Sequence, residues 1–174
     1  MTDFNKLLTP RNEKDGTINV VVEIPQGSNL KIEYRRSTGT FELDRVEPNI
    51  FAKPVNYGFI PATLDGDGDE LDVLVICDTP LFTGIHLSAK VIGILVFEDD
   101  GEIDHKIITV PADDRNNPGV GITERWKQKI EFHFNHYKDL KKPGTTFVKG
   151  WENAAEAEKI IEECITRYKK EFSK

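Results

Sequence analysis

Sulfur is scarce in this chain, with two cysteines, Cys77 and Cys164, and a single methionine among 174 residues. Both cysteines sit in apolar surroundings, which argues against a disulfide-stapled scaffold and reads as two reduced core thiols. Long apolar runs are missing as well. The stretch 91–97 is interrupted by Gly93 and is far too short to cross a bilayer as a helix. No basic segment followed by an apolar one opens the chain, so no secretory signal is expected and the expected location is cytoplasmic, with no membrane partner. Positive charge is in deficit, since 23 Lys and Arg against 30 Asp and Glu leave a formal net charge of −7. That disfavours nucleic acid as a partner, because affinity there comes mostly from neutralising phosphates with Lys and Arg. Neither a GxxxxGK phosphate loop, nor GxGxxG, nor HExxH occurs. No Ser–His or Cys–His pair suggests a covalent nucleophile, which leaves water as the expected one. Internal repeats, low-complexity segments and Ser/Gly linkers are also lacking, so residues 1–174 are expected to form one domain.

What is present suits a globular chain, with 38% hydrophobic and 30% charged residues. Up to about Pro111 the pattern is one of short strands. Ile18–Ile24 is β-branched and apolar and stops at the turn Pro25-Gln26-Gly27. Segments 30–34 and Thr40–Val46 alternate apolar and polar residues, as half-buried strands do. Stretches 73–77, 90–97 and 105–110 complete the set. Strands joined by turns, without helices between them, predict a small barrel or sandwich. The last third changes period. Trp126, Ile130, Phe134 and Tyr137 share one face of a helix over 123–138. Asn153 with Glu156 resembles a capping box, followed by a stripe of Ala157, Ile160, Ile161, Cys164, Ile165 and Tyr168. The expected class is α+β, mainly β, with two amphipathic helices in the C-terminal third.

The strongest chemical signal is Asp65-Gly66-Asp67-Gly68-Asp69-Glu70-Leu71-Asp72, which runs straight into an apolar strand. Carboxylates this dense repel one another unless cations lie between them, and the glycines let the backbone fold tightly enough to aim them inward. Oxygen donors of this kind suit Mg²⁺, Mn²⁺ or Ca²⁺. An EF-hand is excluded, since Glu70 stands where its turn needs Gly, Ile76 stands where it needs Glu, and the residues after the loop are strand-like rather than helical. A second acidic cluster, Glu98-Asp99-Asp100-Gly101-Glu102-Ile103-Asp104, also lies at a strand end, and a barrel could bring the two to one rim. Paired metals are a common device for clamping a phosphoryl group and activating water. Lys31, Arg45, Lys106 and Lys138, with the phenols Tyr57 and Tyr137, are the candidate phosphate donors. His133 and His136 read as packing or surface residues. Two other classes compete with this reading. An OB-type module for single-stranded nucleic acid wants a basic groove that an acidic chain does not supply. A metal-dependent phosphatase for nucleotides or sugar phosphates wants a base- or sugar-binding element that is not evident.

The segment Asp67-Gly68-Asp69-Glu70-Leu71-Asp72-Val73 resembles the defining motif of the soluble family I inorganic pyrophosphatases. Similar matches are Glu23-Ile24-Pro25, Lys31-Ile32-Glu33, Asp44-Arg45, Asn56-Tyr57-Gly58-Phe59-Ile60-Pro61, the positions Asp99, Asp104 and Lys106, His136-Tyr137-Lys138-Asp139-Leu140, and Gly150-Trp151-Glu152-Asn153. The resemblance implies a five-stranded, OB-type closed barrel with two helices, hydrolysing pyrophosphate with about three or four Mg²⁺ per site, Mn²⁺ being a possible substitute. By position it implies Asp67, Asp72 and Asp104 as ligands of a first metal, with Asp72 shared by a second. Asp99 and Asp104 would hold a further ion and Glu33 another, while Asp69 would take the proton from the attacking water. Lys31, Arg45, Tyr57, Lys106, Tyr137 and Lys138 would hold the two phosphates, and Glu23 would order water and metals behind them. Bacterial relatives of this short form imply a homo-oligomer, a hexamer. One departure stands out: Lys53-Pro54 occupies the place where many bacterial members have Tyr-Pro. Asp65 has no role in the pattern.

Overall fold

A computed structural model describes residues 3–116 and 121–172. The strands are β1 (Ile18–Ile24), β2 (Leu30–Arg35), β3 (Thr40–Val46), β4 (Asn56–Phe59), β5 (Asp72–Val75), β6 (His86–Asp99), β7 (Glu102–Pro111) and β8 (Thr146–Glu152). The helices are α1 (Phe4–Leu7), α2 (Glu124–His136) and α3 (Ala154–Phe172), with a 3₁₀ turn at Asn49–Phe51.

Five strands close on themselves. β1 pairs with β4, β4 with β5, β5 with β7, β7 with β6, and β6 returns to β1. All these pairings are antiparallel except the parallel β5–β7 contact. β8 adds to the open side of β6, and β2 with β3 forms a separate hairpin. The mainly β, five-stranded closed arrangement expected from sequence therefore holds. Strand alternation separates the two large core clusters, and a smaller third one gathers Val21, Tyr34 and Phe59. Val73, Val75 and Ile107 join Ala157, Ile161 and Cys164 of α3, while the intervening Leu74 and Ile108 join Ile130 and Phe134 of α2. Cys77 and Cys164 are both free and buried.

Both expected helices form, and their caps follow their sequences. Thr123 accepts from the Trp126 N–H at 3.4 Å, and Asn153 accepts from the Glu156 N–H at 3.1 Å. Two strands lie outside the sequence reading. β4 is buried at all four positions and so shows no alternation. β8 falls between the two helices, where the helical pattern of the last third conceals it. β6 is longer than expected, because a register shift between Val91 and Gly93 lets a polar half and an apolar half belong to one strand.

At Gly58 of β4 the chain passes so close to β1 that a Cβ would lie 2.0 Å from the Val21 carbonyl oxygen. Neither backbone can yield without opening the ring. Gly58→Ala is expected to destabilise the fold by about 3 kcal/mol or more, in the range of severe overpacking. A urea midpoint equal to that of the unsubstituted chain would contradict this.

Candidate active site

The acidic loop leads out of β4 and into β5. The Asp65 N–H donates to the Asp69 carbonyl at 2.8 Å, and the Gly68 N–H to the Asp65 carbonyl at 3.2 Å. Gly68 has φ of +95°, a conformation that side chains oppose. The Asp69 N–H donates to Asp67 Oδ1 at 3.0 Å, which holds the Asp67 carboxylate against the Asp69 backbone. Glu70 points the other way and anchors the loop. It is buried and accepts from Asn5 Nδ2 at 2.6 Å and Arg36 Nε at 2.8 Å. Asn5 Oδ1 in turn accepts from the Ala62 N–H at 2.7 Å. The short N-terminal helix thus braces the loop from behind, a link between distant segments that no local pattern reveals.

Parallel pairing of Val73 with Ile107 sets Asp72, at the start of β5, beside Lys106 on β7. Asp104 lies two residues earlier on β7, on the same face as Lys106. The buried Lys106 ammonium sits between the two carboxylates, ion-paired with Asp72 and 2.6 Å from Asp104. Burial works against the charge on Lys106, but Asp72 and Asp104 overcome it and raise its pKa. For Asp72, burial is likewise outweighed, by Lys106 and by the Tyr57 hydroxyl that donates to it, and its carboxyl is held low. Asp104 moves the other way, since burial, reinforced by Asp72, pushes it up despite Lys106.

The second acidic cluster meets the end of α2. Tyr137 donates to Asp99 at 2.8 Å, and Lys138 pairs with Asp99. The β2–β3 hairpin adds Lys31, 3.2 Å from Glu33, and Arg45, paired with Asp44 and Glu47. Glu23 of β1 accepts from the Tyr34 N–H at 2.6 Å; burial and then Asp72 push its carboxyl up to about 8. Glu23, Lys31, Glu33, Arg45, Tyr57, Asp67, Asp69, Asp72, Asp99, Asp104, Lys106, Tyr137 and Lys138 line a single cleft of about 300 Å³, whereas Asp44 does not. Asp65 does not line it; its carboxylate faces Arg167 at 3.6 Å on the α3 side. Partial desolvation, then Asp67 and Glu70, raise the Asp69 carboxyl above the usual range. Sequence reasoning gave no role to Lys53, which also lines the cleft.

The donor set suits hard divalent cations. Among the described residues no three His, Cys, Asp or Glu side chains already converge on one point. Carboxylates are instead distributed around the cleft, and Lys106 occupies a cation position between Asp72 and Asp104. That spacing fits ions held by one to three carboxylates each, the remaining positions being filled by water and substrate phosphates.

The inorganic pyrophosphatase family model matches residues 20–169. The inorganic pyrophosphatase of Neisseria meningitidis serogroup B is 58% identical over 98% of this chain and 99% of its own. A crystal structure of an inorganic pyrophosphatase from Neisseria gonorrhoeae superposes with a TM-score of 0.91 at 58% identity, covering 95% of this chain and 99% of that one. The Thermus thermophilus inorganic pyrophosphatase gives a TM-score of 0.88 at 36% identity, over 97% and 99% of the two chains.

His133, buried on α2, stacks on Tyr137 with ring centroids 5.6 Å apart. Burial, then the neighbouring Lys53, pushes its pKa down to about 3, so the folded chain keeps it neutral. A depressed imidazole favours the native state above its unfolded pKa and loses that contribution as pH falls toward 3. In chelator, the native chain is expected to lose stability relative to His133→Gln between about pH 6.5 and 4, with a slope of at most about 1.4 kcal/mol per pH unit. Parallel urea midpoints across that range would refute the assignment.

Proposed function

This chain belongs to the inorganic pyrophosphatase family and hydrolyses pyrophosphate to two phosphates, and on that premise we propose that the described cleft is its active site and Mg²⁺ its working metal, about three or four ions per site, with Mn²⁺ as a substitute. The observation that carries this reading is the alternation of carboxylates with Lys, Arg and Tyr donors around one cleft.

Asp67, Asp72 and Asp104 would hold a first ion, Asp72 also a second, Asp99 and Asp104 a third, and Glu33 a fourth. Bound ions supply charge neutralisation of the substrate and a lowered pKa for the attacking water. Asp69 accepts the water proton at its carboxylate; a carboxyl raised by its surroundings and open at the cleft mouth supports that role. Lys31, Arg45, Tyr57, Lys106, Tyr137 and Lys138 direct their N–H and O–H donors at the phosphates and stabilise the charge that develops on the departing one. Glu23, behind Asp72, orders the water and ions around them.

The decisive experiment compares phosphate release from pyrophosphate with Mg²⁺ and with chelator, using phosphate monoesters as controls. Turnover should require the metal and monoesters should be poor substrates. Protein that binds Mg²⁺ but releases no phosphate overturns the reading. Asp69→Asn should lower turnover about 10²–10⁴-fold, the usual worth of general acid–base catalysis, without rescue by excess Mg²⁺. Asp72→Asn should instead raise the Mg²⁺ requirement sharply. Recovery of Asp69→Asn at high Mg²⁺, or equal metal dependence of the two, removes the division of labour.

We further propose a single domain over residues 1–174, a cytoplasmic location, no nucleic-acid or membrane partner, and a hexamer. Among the described residues no helix is long and apolar enough to cross a membrane. Ile50 and Phe132, exposed at 72% and 62%, line one shallow, mainly apolar pocket, which supports burial between copies. Light scattering at micromolar concentration should give a multiple of the 19.8 kDa chain mass. A monomer would contradict it.

A further inference from the structure

The cations drawn into the cleft from Lys31, Arg45, Lys106 and Lys138 all rest on carboxylates. Lys53 does not. Among the described residues its ammonium has no carboxylate within ion-pair distance, and it lies instead in a box of rings. The nitrogen is 4.7 Å from the Tyr57 ring centroid, 5.4 Å from that of Tyr137 and 5.7 Å from that of Phe134, with His133 Nε2 at 3.5 Å. The two phenols are the ones whose hydroxyls donate to Asp72 and Asp99, one from each acidic cluster. A cation against a ring face is attracted by the ring quadrupole. A cation there also draws electron density from a phenol and makes its O–H a stronger donor.

We infer that Lys53 is a positioning residue for pyrophosphate hydrolysis, whose Nζ is charged when the phosphates arrive and then braces Tyr57 and Tyr137 over their carboxylates. This rests on the active-site reading above.

Several groups face this nitrogen. Tyr57 on β4 and His133 and Tyr137 at the end of α2 form its box, with Lys31 of β2, Lys106 of β7, Asp72 of β5 and Glu47 after β3 farther off. Burial first, then the like charges of Lys31 and Lys106, push Lys53 down to about 7. His133, held neutral, offers a lone pair to the ammonium and does not compete for its charge. Near neutral pH the unliganded chain is therefore a mixture of ammonium and amine. An anion entering the cleft favours the ammonium, and the amine fraction takes up a proton at Nζ, less than one per chain on average. A raised pH removes this charge before it affects the ion-paired Lys106, whose pKa is shifted upward.

Lys53→Met keeps the stem and its packing but removes the charge. At saturating Mg²⁺, kcat/KM for pyrophosphate should be about ten-fold lower in the variant at pH 6, as expected for losing one charge from a partly desolvated site. The deficit should shrink steadily above pH 7 as the native lysine loses its own proton. Substrate and metal titration are common to both proteins and cancel in the ratio. Calorimetry with inorganic phosphate and Mg²⁺ at pH 7.5, in buffers of different ionisation enthalpy, should show more proton uptake in the native chain than in Lys53→Met. A deficit constant with pH, with or without a lowered urea midpoint, marks a packing role and overturns the inference, as does no deficit or equal proton uptake. Absence of any Mg²⁺-dependent turnover in the native chain would overturn the active-site reading instead.

Discussion

Lys106 lies at the floor of the cleft between Asp72 and Asp104, and the rest of the site is arranged around that buried contact. A lysine this deep would be costly alone, because an ion removed from water loses several kcal/mol of hydration. Two carboxylates offset that loss, and each of them is made tolerable by the same lysine. The contact exists because β5 and β7 run parallel, which places the first residue of one beside the middle of the other. Parallel neighbours cannot be joined by a tight turn. The intervening β6 therefore has to travel around the ring, and its far end, before it turns into β7, delivers Asp99 to the same cleft. One strand pairing thus fixes both acidic clusters.

The pattern around this floor is repeated. Lys138 and Tyr137 rest on Asp99, Lys31 on Glu33, and Tyr57 on Asp72. Most residues proposed to hold phosphate are thus already hydrogen-bonded to residues proposed to hold metal. Substrate and ions entering together can exchange partners with this array, phosphate oxygens replacing carboxylates at the lysines and cations replacing lysines at the carboxylates. Few buried groups need be left without a partner at any stage, which matters because an orphaned charge in such a site is far more costly than a re-paired one.

Much of this is legible in sequence because the chemistry is local. Asp67, Asp69 and Asp72 fall within one short loop, and their mutual repulsion calls for cations whatever the fold. The helical stripes of α2 and α3 and the strands with clear alternation are visible for the same reason. What stays hidden depends on tertiary contact. Asn56-Tyr57-Gly58-Phe59 is buried on both faces, so it lacks the period that identifies a strand. Glu70 is one more carboxylate of the loop until Asn5, 65 residues away, is seen to hold it inward. Lys53 reads only as a departure from the family's Tyr-Pro, since no sequence pattern states that three rings from two elements will surround it.

Charge balance in the cleft also bears on the order of events. Acidic side chains outnumber basic ones among the residues that line it, in keeping with a formal charge of −7 for the whole chain. A bare polyanion approaching such a lining meets more carboxylates than cations. Cations bound first reverse the local sign, since a bound divalent ion is the largest charge in its neighbourhood. On the proposed reading, such a cleft would admit pyrophosphate as a metal complex or after metal has bound. On that reading, the excess of carboxylate over cation that would repel the free anion is also what would make the activity depend on metal.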